Sequence, residues 1–321
     1  MRKITFNDIL EAKKRVDGII RKTPFEYSQD LSEMFDAEIY LKMEFQQRSG
    51  SFKLRGATNK ISLLSETELE KGIIAASSGN HSQAVGYVAR EMGIDALIVL
   101  PENAPVTKIE RTKRYGAAVK VAGRDFDACE AVAHEIERET GRTFVHAFAD
   151  PDTMAGQGTL GFDMMEEHPD LDMVLVPVGG GGLMTGVGTA VKAMNPNTRV
   201  IGIQTETSKP WVEAFRHKKY VKVSIEDSLA DGLPGDIIEP EMIEGFNAVV
   251  DHMIAVDEEP IAEAIFFMLD KHHQVVEGSG VVGIAALLSG KLDVKGKKVG
   301  IALTGCSCDM KTLKEIINKY V

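Results

Sequence analysis

The stretch RSGSFKLRGATNK, residues 48–60, sets one lysine, Lys53, near the start of a helix-like segment crowded with small residues. Two readings are open. Lys53 is either a surface cation on an amphipathic helix, or an amine covalently engaged with a ligand that the neighbouring glycines let approach. Three other segments bear on the choice. Gly179, Gly180, Gly181 and Gly182 follow the apolar run VLVPV and open a helix-like stretch. Consecutive backbone N–H groups can curl around an anion beside the positive end of a helix dipole. A phosphate cradle is one reading, and a tight strand-to-helix turn, which needs only one or two glycines, is the other. No Gly-Lys-Ser/Thr follows, so this is not a nucleotide P-loop, and the spacing is not that of a dinucleotide fingerprint.

The run Ser77-Ser78-Gly79-Asn80-His81 places hydroxyls, a glycine and an amide before a helix. Ser77 or Ser78 can cap that helix, or the turn can hold a carboxylate while Asn80 offers its amide to a ring substituent. His81 reads as a packed or capping histidine. TGCSCD, residues 304–309, closes an apolar run, and Thr304 can offer a hydroxyl. Cys306 and Cys308 fall short of the four ligands of a structural zinc site and read as buried thiols. An amine, a phosphate cradle, a hydroxyl pocket and a third polar strand end suit one ligand, pyridoxal 5'-phosphate, whose aldehyde takes a lysine amine as a Schiff base.

The elements that must position these groups alternate. A helix is expected over 7–21, capped by Asn7 or Asp8, and a strand over 38–45. Short apolar strands at 72–76, 96–101, 118–123, 173–178, 199–206 and 297–303 alternate with helices at 81–93, 107–117, 126–141, 159–168, 183–196, 261–272 and 281–291. That alternation predicts an α/β fold with largely parallel sheets, covered on both faces. Ligands of such sheets bind beyond the carboxyl ends of strands, and SSGN, GGGG and TGCS all stand at such ends.

The chain carries 37 basic and 48 acidic residues, a net charge of -11, with 44% apolar residues. The apolar fraction suits a full core, and the acidic balance argues against a nucleic-acid partner. No apolar run is long enough to span a bilayer, and the N-terminus lacks the apolar core of a signal peptide. A cytoplasmic protein with no membrane partner is the expectation. Three cysteines imply reduced thiols.

SGSFKLRGA, SSGNH, AGQGT (155–159), PVGGGGL, ADG (230–232) and the last strand with its turn occur in the order seen in serine and threonine dehydratases. From about Phe6 to Met310 the chain resembles that family, within the tryptophan-synthase-β-like, fold type II group of pyridoxal phosphate enzymes. Short catabolic threonine dehydratases and serine racemases look most alike. The resemblance implies two doubly wound, mostly parallel open sheets with the cofactor between domains. Residues 1–71 and 149–321 would form a large domain and 72–148 a small mobile one.

It implies roles for particular residues as well. Lys53 would carry the cofactor and act as the base at Cα. Phe52 would pack on the cofactor ring, and Asn80 would bond its hydroxyl. Gly179, Gly180, Gly181, Gly182 and Leu183 would bind the phosphate. Thr304, where the family usually has serine, would face the pyridine nitrogen. Ser77, Ser78, Asn80 and His81 would frame the substrate carboxylate, and Ser78 lies where serine racemases place a second acid. The implied activity is β-elimination of L-threonine or L-serine to a 2-oxo acid and ammonia, in a homo-oligomer. Racemisation of serine, or dehydration of another β-hydroxy amino acid such as 3-hydroxyaspartate, is the alternative, and added basic residues in the pocket would mark the latter.

The departures are the TGCS end and Gln204, where serine racemases carry a carboxylate of a divalent-cation site. Glu206, Asp231 and Glu277 remain candidate cation ligands, and Glu277 resembles a family glutamate facing the active site. Fourteen residues follow Ser307, too few for the C-terminal regulatory domain of biosynthetic relatives.

Overall fold

The computed structural model describes residues 1–102, 104, 106–124, 126–235 and 238–321, with backbone alone at 106–108 and 126. Its strands are β1 (Phe25–Tyr27), β2 (Glu38–Met43), β3 (Ile73–Ala76), β4 (Ala96–Leu100), β5 (Ala118–Val121), β6 (Thr143–Phe144), β7 (Met173–Pro177), β8 (Arg199–Thr205), β9 (His252–Val256) and β10 (Lys298–Leu303). They form two sheets. The larger has the order β1-β2-β10-β7-β8-β9 and the smaller β5-β4-β3-β6. All neighbours pair in parallel except β1 with β2. The expected α/β architecture is therefore present. Every residue of β3 and β7 is buried, which is why these strands read as unbroken apolar runs rather than alternating ones.

Some boundaries differ from expectation. The first helix is Phe6–Val16, not 7–21. Thr5 caps it in a reciprocal box with Asp8, so neither Asn7 nor Asp8 is the cap. The helix ends at Asp17, whose ψ of 132° leaves the helical region, and Gly18 turns the chain with φ +91°. The helix expected from 159 begins eight residues earlier, as Pro151–Glu167, with Asp150 accepting from the N–H groups of Asp152 and Thr153. The short strands β1 and β6 and the strand β9 lie outside the expected set.

Helix Lys53–Ser62 packs on helix Pro151–Glu167, and here the small residues around Lys53 have their purpose. A Cβ on Gly56 would stand 2.8 Å from the Thr153 carbonyl, and one on Gly156 2.6 Å from the Arg55 carbonyl. Gly50 stands against the Cys306 thiol. The expectation that these glycines admit a ligand is thus corrected: they let backbones and side chains approach one another.

Between the two helices lies a buried ionic cluster. Arg55 donates from Nε and Nη2 to Glu44 at 2.8 Å each and from Nη1 to Thr159 at 3.0 Å, and Nη2 meets Asp163 at 2.8 Å. Arg55 and Glu44 are fully buried. Burial opposes the Arg55 charge, yet Glu44 and Asp163 hold its pKa above the ordinary value. Breaking such a cluster strands a buried charge. Glu44→Ala should therefore lower the unfolding free energy of the apoprotein by ~3–5 kcal/mol in urea denaturation; a loss below about 1 kcal/mol would show that the cluster does not fix this contact.

Candidate active site

The carboxyl ends of β3, β7 and β10 open on one cavity of about 590 Å³, a size suited to a small molecule. Every residue expected at the site lines it: Phe52, Lys53, Ser77, Ser78, Asn80, His81, Gly179, Gly180, Gly181, Gly182, Leu183 and Thr304.

Lys53 is the first residue of its helix, and its amine donates to the Ala147 carbonyl at 2.8 Å. The nitrogen also lies 5.3 Å from the centre of the Phe52 ring. Among the described residues no carboxylate pairs with it. Burial pushes the amine down to about 8, because a desolvated ammonium has no counter-charge to hold its proton. His81 is buried, with Nε2 donating to the Val145 carbonyl at 2.8 Å and Nδ1 without a partner among the described residues. Burial first, and the Lys53 charge second, push it down to about 3, so it stands as a neutral, packed imidazole.

Helix Asn80–Met92 starts behind Gly79, with no side-chain cap. Ser77 and Ser78 are therefore not the cap that one sequence reading allowed; Ser77 Oγ instead accepts from the Gly79 N–H at 3.2 Å. Asn80 donates to Glu277 at 2.7 Å and accepts from the Ser307 hydroxyl at 2.7 Å. Glu277 also accepts from the Ser307 N–H at 2.7 Å. One N–H of the Asn80 amide is left over for a ligand.

Helix Gly182–Met194 likewise starts without a side-chain cap, at Gly181 with φ +86°. Of the four glycines only Gly181 has positive φ, and a Cβ there would meet the Trp211 ring at 2.5 Å. A turn alone thus accounts for one glycine of the run. The first N–H groups of that helix have no intrahelical acceptor, which leaves them for an anion. Thr304 is buried, and its hydroxyl bonds no described residue. An uncapped helix start, the hydroxyl of cavity-lining Thr304 and an amine with no carboxylate partner among the described residues fit pyridoxal phosphate: one for its phosphate, one for its ring nitrogen, one for its aldehyde.

Other candidates fall elsewhere. Gln204 is buried, donating to the Val178 carbonyl at 3.2 Å and accepting from the Val212 N–H at 3.1 Å. Glu206 is paired with Lys209 and Lys291. Among the described residues no group of three His, Cys, Asp or Glu could hold a metal ion. Burial pushes the Cys308 thiol up to about 11, so it stays protonated. Sequence reasoning missed the Ala147 carbonyl, which has no side-chain signal. It also missed Arg111, Gln83 and Asp127, which line the cavity from helices that read as ordinary amphipathic ones.

A mostly parallel α/β fold with an amine, a glycine-rich helix start and polar side chains around one cavity at its strand ends suits a cofactor enzyme. The family model described as "Pyridoxal-phosphate dependent enzyme" matches residues 16–305. The chain belongs to that family, and pyridoxal phosphate is its cofactor. It is 47% identical over 320 residues to the L-threonine ammonia-lyase of Thermotoga maritima, covering 98% of this chain and 79% of that protein. A serine racemase from maize superposes with a TM-score of 0.93 at 31% identity, over 99% of this chain and 98% of that one. The processed form of threonine deaminase isoform 2 from Solanum lycopersicum does so with 0.92 at 31% identity, over 98% and 93%.

Two outcomes follow from this geometry. Only the neutral amine attacks an aldehyde, so capture of pyridoxal phosphate by apoprotein should speed up with pH through about 8 and then level off. A rise continuing to the ordinary lysine range, about 10.4, would contradict the desolvated setting. Alanine at the φ of Gly181 is strained by roughly 1–3 kcal/mol and strikes Trp211. Gly181→Ala should raise the cofactor Kd at least ~10-fold, read by quenching of Trp211; an unchanged Kd would remove this glycine from the cradle.

Proposed function

We propose that the protein is a pyridoxal-phosphate-dependent ammonia-lyase converting L-threonine, L-serine or both to a 2-oxo acid and ammonia. The observation that carries the reading is Lys53, an amine in the cavity with no acidic partner among the described residues and a pKa pushed down to about 8. Near neutral pH a useful fraction is uncharged, able both to attach the cofactor and to take the α-proton of a substrate. Relatives named L-threonine ammonia-lyase and threonine deaminase support the substrate.

Pyridoxal phosphate, when bound, supplies the sink for the electron pair left at Cα. The chain's residues do the rest. N–H groups of Gly179 to Leu183 hold the phosphate, Phe52 packs on the ring, and Thr304 offers its hydroxyl to the ring nitrogen. Asn80 gives its remaining N–H to the ring hydroxyl. Ser77, Ser78 and the uncapped helix start at Asn80 take the substrate carboxylate, and neutral His81 packs beneath them without adding charge. Net, L-threonine yields 2-oxobutanoate and ammonia; the water lost from Cβ returns when the released enamine hydrolyses. The reading includes residues 72–148 closing over the substrate as a small domain, supported by their separate sheet. It takes the protein to be cytoplasmic and a homo-oligomer, dimer or tetramer, which light scattering can count.

Arg111 favours a second reading. It is half-buried, lines the cavity, and pairs with no described residue. A guanidinium in such a place suits a carboxylate, hence a substrate such as 3-hydroxyaspartate.

Purified protein with pyridoxal phosphate should release 2-oxobutanoate from L-threonine, and Lys53→Ala should lower the rate by about 10³-fold or more. Full activity in Lys53→Ala would refute the assignment. A higher kcat/KM for 3-hydroxyaspartate than for L-threonine, reversed by Arg111→Ala, would make the second reading the correct one.

A further inference from the structure

Residues 145–150 run from β6 to helix Pro151–Glu167 as the return crossing from the small sheet to the large one, and they lie outside both helix and strand. The crossing is nevertheless held at successive residues. The Val145 carbonyl accepts from His81 and the Ala147 carbonyl from Lys53, at 2.8 Å each. The His146 carbonyl accepts from the Thr153 hydroxyl at 3.3 Å.

The His146 side chain turns back on its own backbone. Its Nδ1 accepts from the N–H groups of Phe148 at 3.1 Å and Ala149 at 2.9 Å. Backbone N–H groups only donate, so Nδ1 presents its lone pair and the ring proton sits on Nε2. Nε2 then donates to Glu130 at 3.3 Å. That bond, the largest influence on the group, helps hold the Glu130 carboxyl below its ordinary pKa. Four residues on, Asp150 Oδ1 accepts from the N–H groups two and three residues ahead, at 2.8 and 2.9 Å. His146 does the same with an imidazole nitrogen, and Glu130 fixes the ring that does it.

The turn so held carries two parts of the site. One is the carbonyl that seats the Lys53 amine. The other is Phe148, whose ring and carbonyl close off the glycine run: a Cβ on Gly180 would stand 2.5 Å from that ring, and one on Gly182 2.6 Å from that carbonyl. We propose that His146, oriented by Glu130, is a positioning residue that fixes the turn bearing the Ala147 seat of the Lys53 amine and the Phe148 wall of the glycine cradle. The proposal rests on the reading of Lys53 and the glycine run given above.

The test compares His146→Ala, His146→Asn and Glu130→Ala with the parent protein. Asparagine can place its side-chain oxygen where Asp150 places Oδ1, so it should restore the two backbone bonds. Cofactor capture by apoprotein is followed through quenching of Trp211, the sole tryptophan, alongside kcat and KM. Misplacing a reacting group by about 1 Å costs up to ~100-fold. His146→Ala should therefore slow capture and lower kcat by ~10–100-fold, with KM changing far less. His146→Asn should recover to within about threefold, and Glu130→Ala should fall between the two. Capture at the parent rate in His146→Ala overturns the proposal, and so does His146→Asn being as slow as His146→Ala. Should His146→Ala not fold, the other two variants decide: parent-like His146→Asn with a slowed Glu130→Ala supports it, and a tenfold-slowed His146→Asn overturns it. Failure of the parent protein itself to capture the cofactor would instead strike the underlying reading of Lys53.

Discussion

Arg55, buried between the carboxylates of Glu44 and Asp163, stands two residues beyond Lys53, and the position of the lysine follows from it. A charge so far from water stays only where its partners are. The start of helix Lys53–Ser62 is thereby pinned to the turn after β2 and to helix Pro151–Glu167. The close approach of those helices at Gly56 and Gly156 leaves no slack along their axes. Lys53 consequently enters the cavity from a fixed base, and the cost of its desolvation is carried by a packed core rather than by a loop.

The cavity inverts the arrangement around Arg55. There a cation has two anions; here an amine has none among the described residues, and burial, unopposed, lowers its pKa to about 8. Burial, and the Lys53 charge after it, keep the neighbouring His81 neutral. The cavity's capacity for an anion is vested in backbone N–H groups at two uncapped helix starts, which bring partial charge without a titrating proton. Across the cleft Asn80, at the end of β3, bonds both Glu277 and Ser307, which belong to the side of the larger sheet. That link joins the two sheets at the site itself, so a group bound between them bears on their relative position.

Much of the cavity lining was legible in the sequence, because the groups suited to a phosphate, a ring and an aldehyde are few and stand at the ends of apolar strands. The run of four glycines marked a strand-to-helix turn open to an anion, though the sequence did not say that Gly181 answers to φ and that Phe148 and Trp211 crowd the run. The Asp150-Pro151 start of a helix was a readable signal that the pattern at 159–168 obscured, since the intervening AGQGT looks like a loop until its glycines meet another helix. Glu277 stood out by its setting, whereas the Ala147 carbonyl could not, being backbone. The proposed role of His146 depends on bonds to its own main chain two and three residues ahead, and nothing in the string of letters distinguishes it from a surface histidine.

The account turns on which nitrogen holds the cofactor. Reducing the pyridoxal phosphate-loaded protein with borohydride and mapping the labelled peptide by mass spectrometry tests that most directly. The account predicts a single modified residue, Lys53, in the segment around SFKLR. A label on any other lysine, or a protein that binds the cofactor and acquires none, would contradict it.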